Sequence, residues 1–120
     1  MADAALFVGF GRAARAREPQ ALELLKNILG FLTTLRDRGA IDGVEPVLLD
    51  PHGGDLAGFV MIRGSREQLH DLRGDAEFRR MSVRAGLVSD GFGVVDAHAG
   101  DGFDAELAVY EQQVNEQLSA

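Results

Sequence analysis

No cysteine occurs anywhere in the chain. That single absence removes disulfides, thiolate nucleophiles, cysteine-ligated zinc and iron–sulfur clusters. Tryptophan is missing as well, and lysine occurs once, at Lys26, beside eleven arginines. Bases are outnumbered by acids, twelve against nineteen, for a net charge of −7. Nucleic acids and anionic membrane surfaces are held by clustered Lys and Arg, so neither is expected as a partner. No run approaches the roughly 18 to 20 apolar residues that span a bilayer. The first residues, Met-Ala-Asp-Ala-Ala-Leu-Phe, lack the basic start and apolar run of a signal peptide. A cytoplasmic location is the expectation. What is present is a globular composition: 46% hydrophobic residues in 120, fitting one domain over residues 1–120. A chain of this size buries only about two thirds of its unfolded surface, so a partner subunit would add stability.

Two periodicities organise the chain. "AALFVGFGR" (4–12) alternates, with Leu6, Val8 and Phe10 on one side and Phe7, Gly9 and Gly11 on the other. Leu22, Leu25, Ile28, Leu29, Leu32 and Leu35 then recur every three or four positions. They mark an amphipathic helix with Pro19 in its first turn and Gly39 after its end. "VEPVLLD" (44–50) and "LAGFVMIRG" (56–64) read as strands joined by a turn through His52-Gly53-Gly54-Asp55. Pro46 places the first of them on an edge. Ser65 and Gln68 form a capping box for a second helix, which Gly74 and Asp75 break before a segment at 76–86. "GFGVVDAHAG" (91–100) is a last strand. Phe103, Leu107, Tyr110, Val114 and Leu118 stripe a terminal helix extending over about 103–118.

Strand, helix, strand, strand, helix, strand is the ferredoxin-like βαββαβ order. It predicts an α+β fold with a four-stranded antiparallel sheet, helices on one face and a C-terminal helix added. The opposite face would leave several hundred Å² of apolar surface in water, so a homodimer is expected. Gly9-Phe10-Gly11-Arg12-Ala13-Ala14 spells G-x-G-x-x-A, the spacing of a dinucleotide loop. Such a loop needs a helix starting at the glycines, so that its amides face the pyrophosphate. Here the helix starts near Pro19 and the acid that should follow about 20 residues on is displaced, so the glycines belong to a strand.

The stretches "EPVLLDPHGGDLAGFVMIRGSREQLHDLRGDAEFRRM" (45–81) and "RAGLVSDGFGVV" (84–95) resemble the dimeric α/β-barrel superfamily, in particular an uncharacterised bacterial subgroup. That superfamily includes the antibiotic-biosynthesis monooxygenases, YCII-related proteins and muconolactone isomerases. The resemblance implies two ferredoxin-like protomers whose sheets close face to face into a barrel. It also implies a small-molecule cleft, and a cofactor-independent oxygenase or isomerase among possible activities. Oxygenases of that kind place Trp and Asn around an aromatic substrate; this chain has no Trp and only Asn27 and Asn115. Haem-binding relatives use a helical histidine, a position His70 can be compared with, but "EQLHDLRG" is an ordinary amphipathic turn and no cofactor is expected.

Asp50-Pro51-His52 and Asp96-Ala97-His98 repeat a D-x-H pattern. Positions i and i+2 of a strand share a face, so a carboxylate there can orient its imidazole for proton transfer or metal binding. Asp96 and His98 are the candidates for chemistry, and Asp50 with His52 is a weaker one for a metal. The plain alternative is a pair of polar strand ends in water. Phe10, Arg12, Met61 and Arg63 are the candidates for ligand binding, because an arginine at the mouth of an apolar pocket can grip a carboxylate through its two-pronged guanidinium. Snorkelling to solvent is the competing use of both arginines. Arg73, Arg79, Arg80 and Arg84 read as a solvated helix face paired with Asp75 and Glu77. Two functions follow: a dimeric barrel binding a small apolar or aromatic acid, or a non-catalytic dimeric interaction or stress-related protein.

Overall fold

A computed structural model describes residues 4–118. Its elements follow the expected order: β1 (Ala4–Phe10), α1 (Glu18–Asp37), β2 (Gly43–Leu48), β3 (Gly58–Gly64), α2 (Arg66–Gly74), α3 (Ala76–Val88), β4 (Gly93–Ala97) and α4 (Asp101–Leu118). The strands form one antiparallel sheet in the order β2-β3-β1-β4. Pro46 is therefore on an edge strand, where its missing N–H breaks no inner ladder. This sheet is open rather than closed into a barrel. The strands are shorter than the sequence pattern implies: β2 stops at Leu48 and β4 at Ala97, leaving Asp50 and His98 outside them. Residues 49–57 form a loop rather than a tight turn, closed by the Leu49 N–H donating to Ala57 O at 2.9 Å.

Alternation sorts the two faces as the pattern predicts. Leu6, Val8, Val60 and Ile62 are buried under Leu24, Ile28, Leu32 and Leu35 of α1 and under Leu69, Leu72, Phe78, Met81 and Ala85 of α2 and α3. Leu32 and Ile62 have no exposed surface at all. The Ser65 hydroxyl accepts from the Gln68 N–H at 3.1 Å while Gln68 Oε1 accepts from the Ser65 N–H at 2.7 Å, which is the capping box. Asp75 ends α2 and caps α3, its carboxylate accepting from the Phe78 N–H at 2.9 Å. Gly86, exposed within α3, has nothing within 4 Å of where a Cβ would sit. Gly86→Ala should therefore raise stability by about 0.5–1 kcal/mol, seen as a higher urea midpoint at unchanged slope.

The two glycines of the G-x-G-x-x-A stretch are both accounted for without a ligand. Gly9 lies on the open face, where the Phe7 ring folds over it: a Cβ there would stand 2.5 Å from that ring. Phe7 in turn stacks on Phe59, ring centroids 5.0 Å apart. Gly11 is pressed between two loops. Its N–H donates to Asp90 O at 2.7 Å, and a Cβ would meet Asp90 O at 2.5 Å and Asp55 O at 2.9 Å. After Gly11 the chain does not enter a helix. It pairs with the end of α3, the Asp90 N–H donating to Arg12 O and the Ala14 N–H to Val88 O.

Candidate functional site

The sheet distributes the sequence candidates over four places. Asp96 pairs with Leu6 in the ladder and so shares the helix-covered face. It lies at the edge of a cleft of about 460 Å³ bounded by α2, the end of β4 and the start of α4. His98 lines the same cleft, as do Arg66, His70 and Arg73 from α2 and Glu106 from α4, over a floor that includes Leu6 and Leu69. Met61 and Arg63 point the other way: their rows, Phe7–Met61–Glu45 and Ala5–Arg63–Gly43, lie on the uncovered face with Phe59. Phe10 belongs to a third region, an apolar cavity of about 240 Å³ under α1 that also touches Leu25, Ile28 and Phe92, with Glu18 in its wall. Arg12 sits near the loops at 53–55 and 90–91, beyond the opposite end of β1 from Asp96 and His98. One cavity rimmed by Arg12, Arg63, Asp96 and His98 is thus not formed within a protomer.

The fourth place is the loop after β2. His52 is engaged by its own loop: the Gly54 N–H donates to Nδ1 at 3.1 Å, and Nε2 lies 2.9 Å from Leu56 O. With Nδ1 accepting, Nε2 carries the proton and donates, so neither ring nitrogen is left for a metal. Asp50 lies outside the strand, so the two do not share a strand face. Among the described residues, no three His, Asp or Glu groups gather closely enough to hold a metal ion.

In the cleft, Asp96 does not orient His98. Its carboxylate faces Arg73 at 3.6 Å, and Arg73 also donates to Val94 O at 2.7 Å. Both members of that ion pair are largely exposed, so it contributes well under about 1 kcal/mol. Arg66, His70 and Arg73 stand at i, i+4 and i+7, one face of α2 turned toward β4. Sequence reasoning missed this trio as a site. Its helical spacing was visible, but only the topology brings α2 beside the end of β4. The side chains of Arg66, His70 and His98 make no hydrogen bond or ion pair with another described residue, which leaves one guanidinium and two imidazoles able to meet a ligand. Arg80 pairs with Glu77, as the solvated-face reading of α3 expects.

No protein-family model matches this chain. No curated protein matches it in sequence. Solved structures that share its fold include the following two. One is a dimeric protein of unknown function and ferredoxin-like fold from Bacteroides fragilis, 9% identical, with a TM-score of 0.58 over 80% of this chain and 96% of that one. The other is a hypothetical Arabidopsis thaliana protein solved in solution, 12% identical, with a TM-score of 0.62 over 83% of this chain and 90% of that one. At such identities the likeness shows the ferredoxin-like fold alone; no link to monooxygenases or YCII-related proteins accompanies it. No helix among the described residues is long and apolar enough to cross a membrane.

Proposed function

We propose that the protein is a homodimer that binds a small apolar or aromatic acid in the cleft between α2, β4 and α4. The observation that carries the binding reading is the convergence of Arg66, His70, Arg73 and His98 over an apolar floor. An organic acid has the matching parts: a carboxylate for the guanidinium and imidazole donors, and a body for Leu6 and Leu69. Pairing through the open sheet face is supported by Phe7, Phe59 and Met61, which no element of their own chain covers. The Bacteroides fragilis structure of the same fold is described as dimeric. Face-to-face pairing of two such sheets is what would close a barrel.

Turnover of the acid, as a cofactor-independent isomerase or oxygenase, would fall to His98 and Asp96. Because Asp96 faces Arg73, it offsets part of that guanidinium's charge and is not aligned with His98 as a proton relay. The other reading, a dimeric interaction or stress-related protein without a reaction, is favoured by one observation: His70 and His98 are both exposed. Titration with benzoate and benzamide, followed by amide NMR, separates the two. The expected result is that benzoate shifts residues 66–73 and 96–98 and benzamide does not, with Arg66→Ala weakening binding about tenfold. Glu106→Gln, which removes a carboxylate from the rim, should tighten binding severalfold. Equal responses to both probes, or none, would remove the acid site; shifts confined to Phe10, Leu25 and Phe92 would move it beneath α1.

A further inference from the structure

The 18 residues of α4 have no buried member, and its apolar stripe faces solvent: Phe103 is 53% exposed, Tyr110 69% and Leu118 79%. Helices gain most of their stability in proteins by packing an apolar face, and isolated ones of roughly this length are marginal in water. Its own subunit offers α4 little. Only Gly102, Ala105 and Glu106, near its start, border the cleft. The radius of gyration, 16.4 Å, exceeds the roughly 14 Å of a compact chain this long, as an outstanding helix requires.

We infer that α4 is an arm that lays its stripe of Phe103, Leu107, Tyr110, Val114 and Leu118 across the body of a second copy of this chain. The inference rests on the homodimer proposed above and names the surface that completes it. Area is the first argument. Four strands of this length present roughly 400 Å² per face, so two faces together bury about 800 Å², short of the 1,200–2,000 Å² usual for stable interfaces. A helix about 27 Å long on each side, exchanged across a two-fold axis, brings the total to roughly 1,900 Å².

Charge is the second argument, and it selects the occupant. Residues 101–118 carry five acids and no base, whereas residues 4–100 carry thirteen acids and twelve bases. An anionic lipid surface is excluded by that lack of bases. Two α4 helices stacked on each other would oppose Asp104, Glu106 and Glu111 with their equivalents. The partner's body is near neutral, and its twelve bases can meet those acids.

Hydrogen exchange of the full-length protein at several concentrations, with sedimentation in parallel, tests the arm. Expected is protection of the α4 amides in the dimer that is lost on dilution together with the dimer. Leu107→Glu combined with Tyr110→Glu should remove that protection and weaken dimerisation at least thirtyfold. Ala108→Glu, which adds charge about 120° around the helix from the centre of the stripe, should change neither. Protection independent of concentration would mean that α4 covers its own subunit, and no protection in a dimer would mean that it covers nothing; either overturns the inference. Failure of the arm alone leaves a dimer that is insensitive to Leu107→Glu/Tyr110→Glu. A wild-type chain that sediments as a monomer overturns the homodimer itself.

Discussion

Phe59→Asp should yield a folded monomer at concentrations where the wild-type chain is a dimer. Phe59 lies on the uncovered face one row from its centre at Met61, between Gly9 of β1 and Val47 of β2, with its ring stacked on Phe7. Within one subunit the substitution removes an aromatic pair from a surface already open to water, a cost of about 1–2 kcal/mol. In a two-fold dimer the change occurs twice. Each new carboxylate must leave water for a largely apolar interface, at several kcal/mol apiece, with Arg63 of its own sheet two ladder rows away. Asp is too short to reach the rim of the sheet. The dimer should weaken about 1,000-fold or more, which corresponds to roughly 4 kcal/mol. Sedimentation velocity reads the association, and far-UV circular dichroism shows that the subunit still folds. A variant that stays dimeric at low micromolar concentration would show that this face is not the interface.

Gly11→Ala should destabilise the subunit by about 3 kcal/mol, the upper end of ordinary overpacking. The added methyl would sit 2.5 Å from Asp90 O and 2.9 Å from Asp55 O. Both are backbone atoms, so no side chain can swing aside to make room. Relief requires moving the loop after β2 or the loop before β4, and the second movement also stretches the 2.7 Å bond from the Gly11 N–H to Asp90 O. Equilibrium urea unfolding measures the loss, with Gly86→Ala as the opposite control. An unchanged midpoint would mean that the two loops do not meet at Gly11. The experiment also bears on the dinucleotide motif, since the spacing is explained here by a ring over Gly9 and a crossing of loops at Gly11.

Local signals in the sequence led to correct structure wherever neighbours along the chain decide the outcome. The stripe from Leu22 to Leu35, the Ser65–Gln68 capping box, the break at Asp75 and the alternation of β1 all depend on residues at most a few turns apart. Within the stripe Ile28, Leu32 and Leu35 are buried as read, while Leu22 is exposed and Leu24 is buried in its place. The candidate site was less legible because it depends on pairings across the fold. D-x-H spacing puts Asp96 beside His98, but an arginine 23 positions earlier in the chain takes the carboxylate. The imidazole of His52 is occupied by a backbone amide and a carbonyl that no side-chain pattern reveals. Phe10 and Met61 share an apolar character, yet the register sends them to opposite faces of the sheet. The stripe on α4 was plain from its spacing; that none of the described residues of its own subunit buries it was not.

Sedimentation equilibrium of the wild-type chain at low micromolar concentration reaches the core of this account most directly. Mutual covering of the bare sheet face predicts one species at twice the 12.9 kDa chain mass. A stable, well-folded species at the mass of a single chain would contradict it.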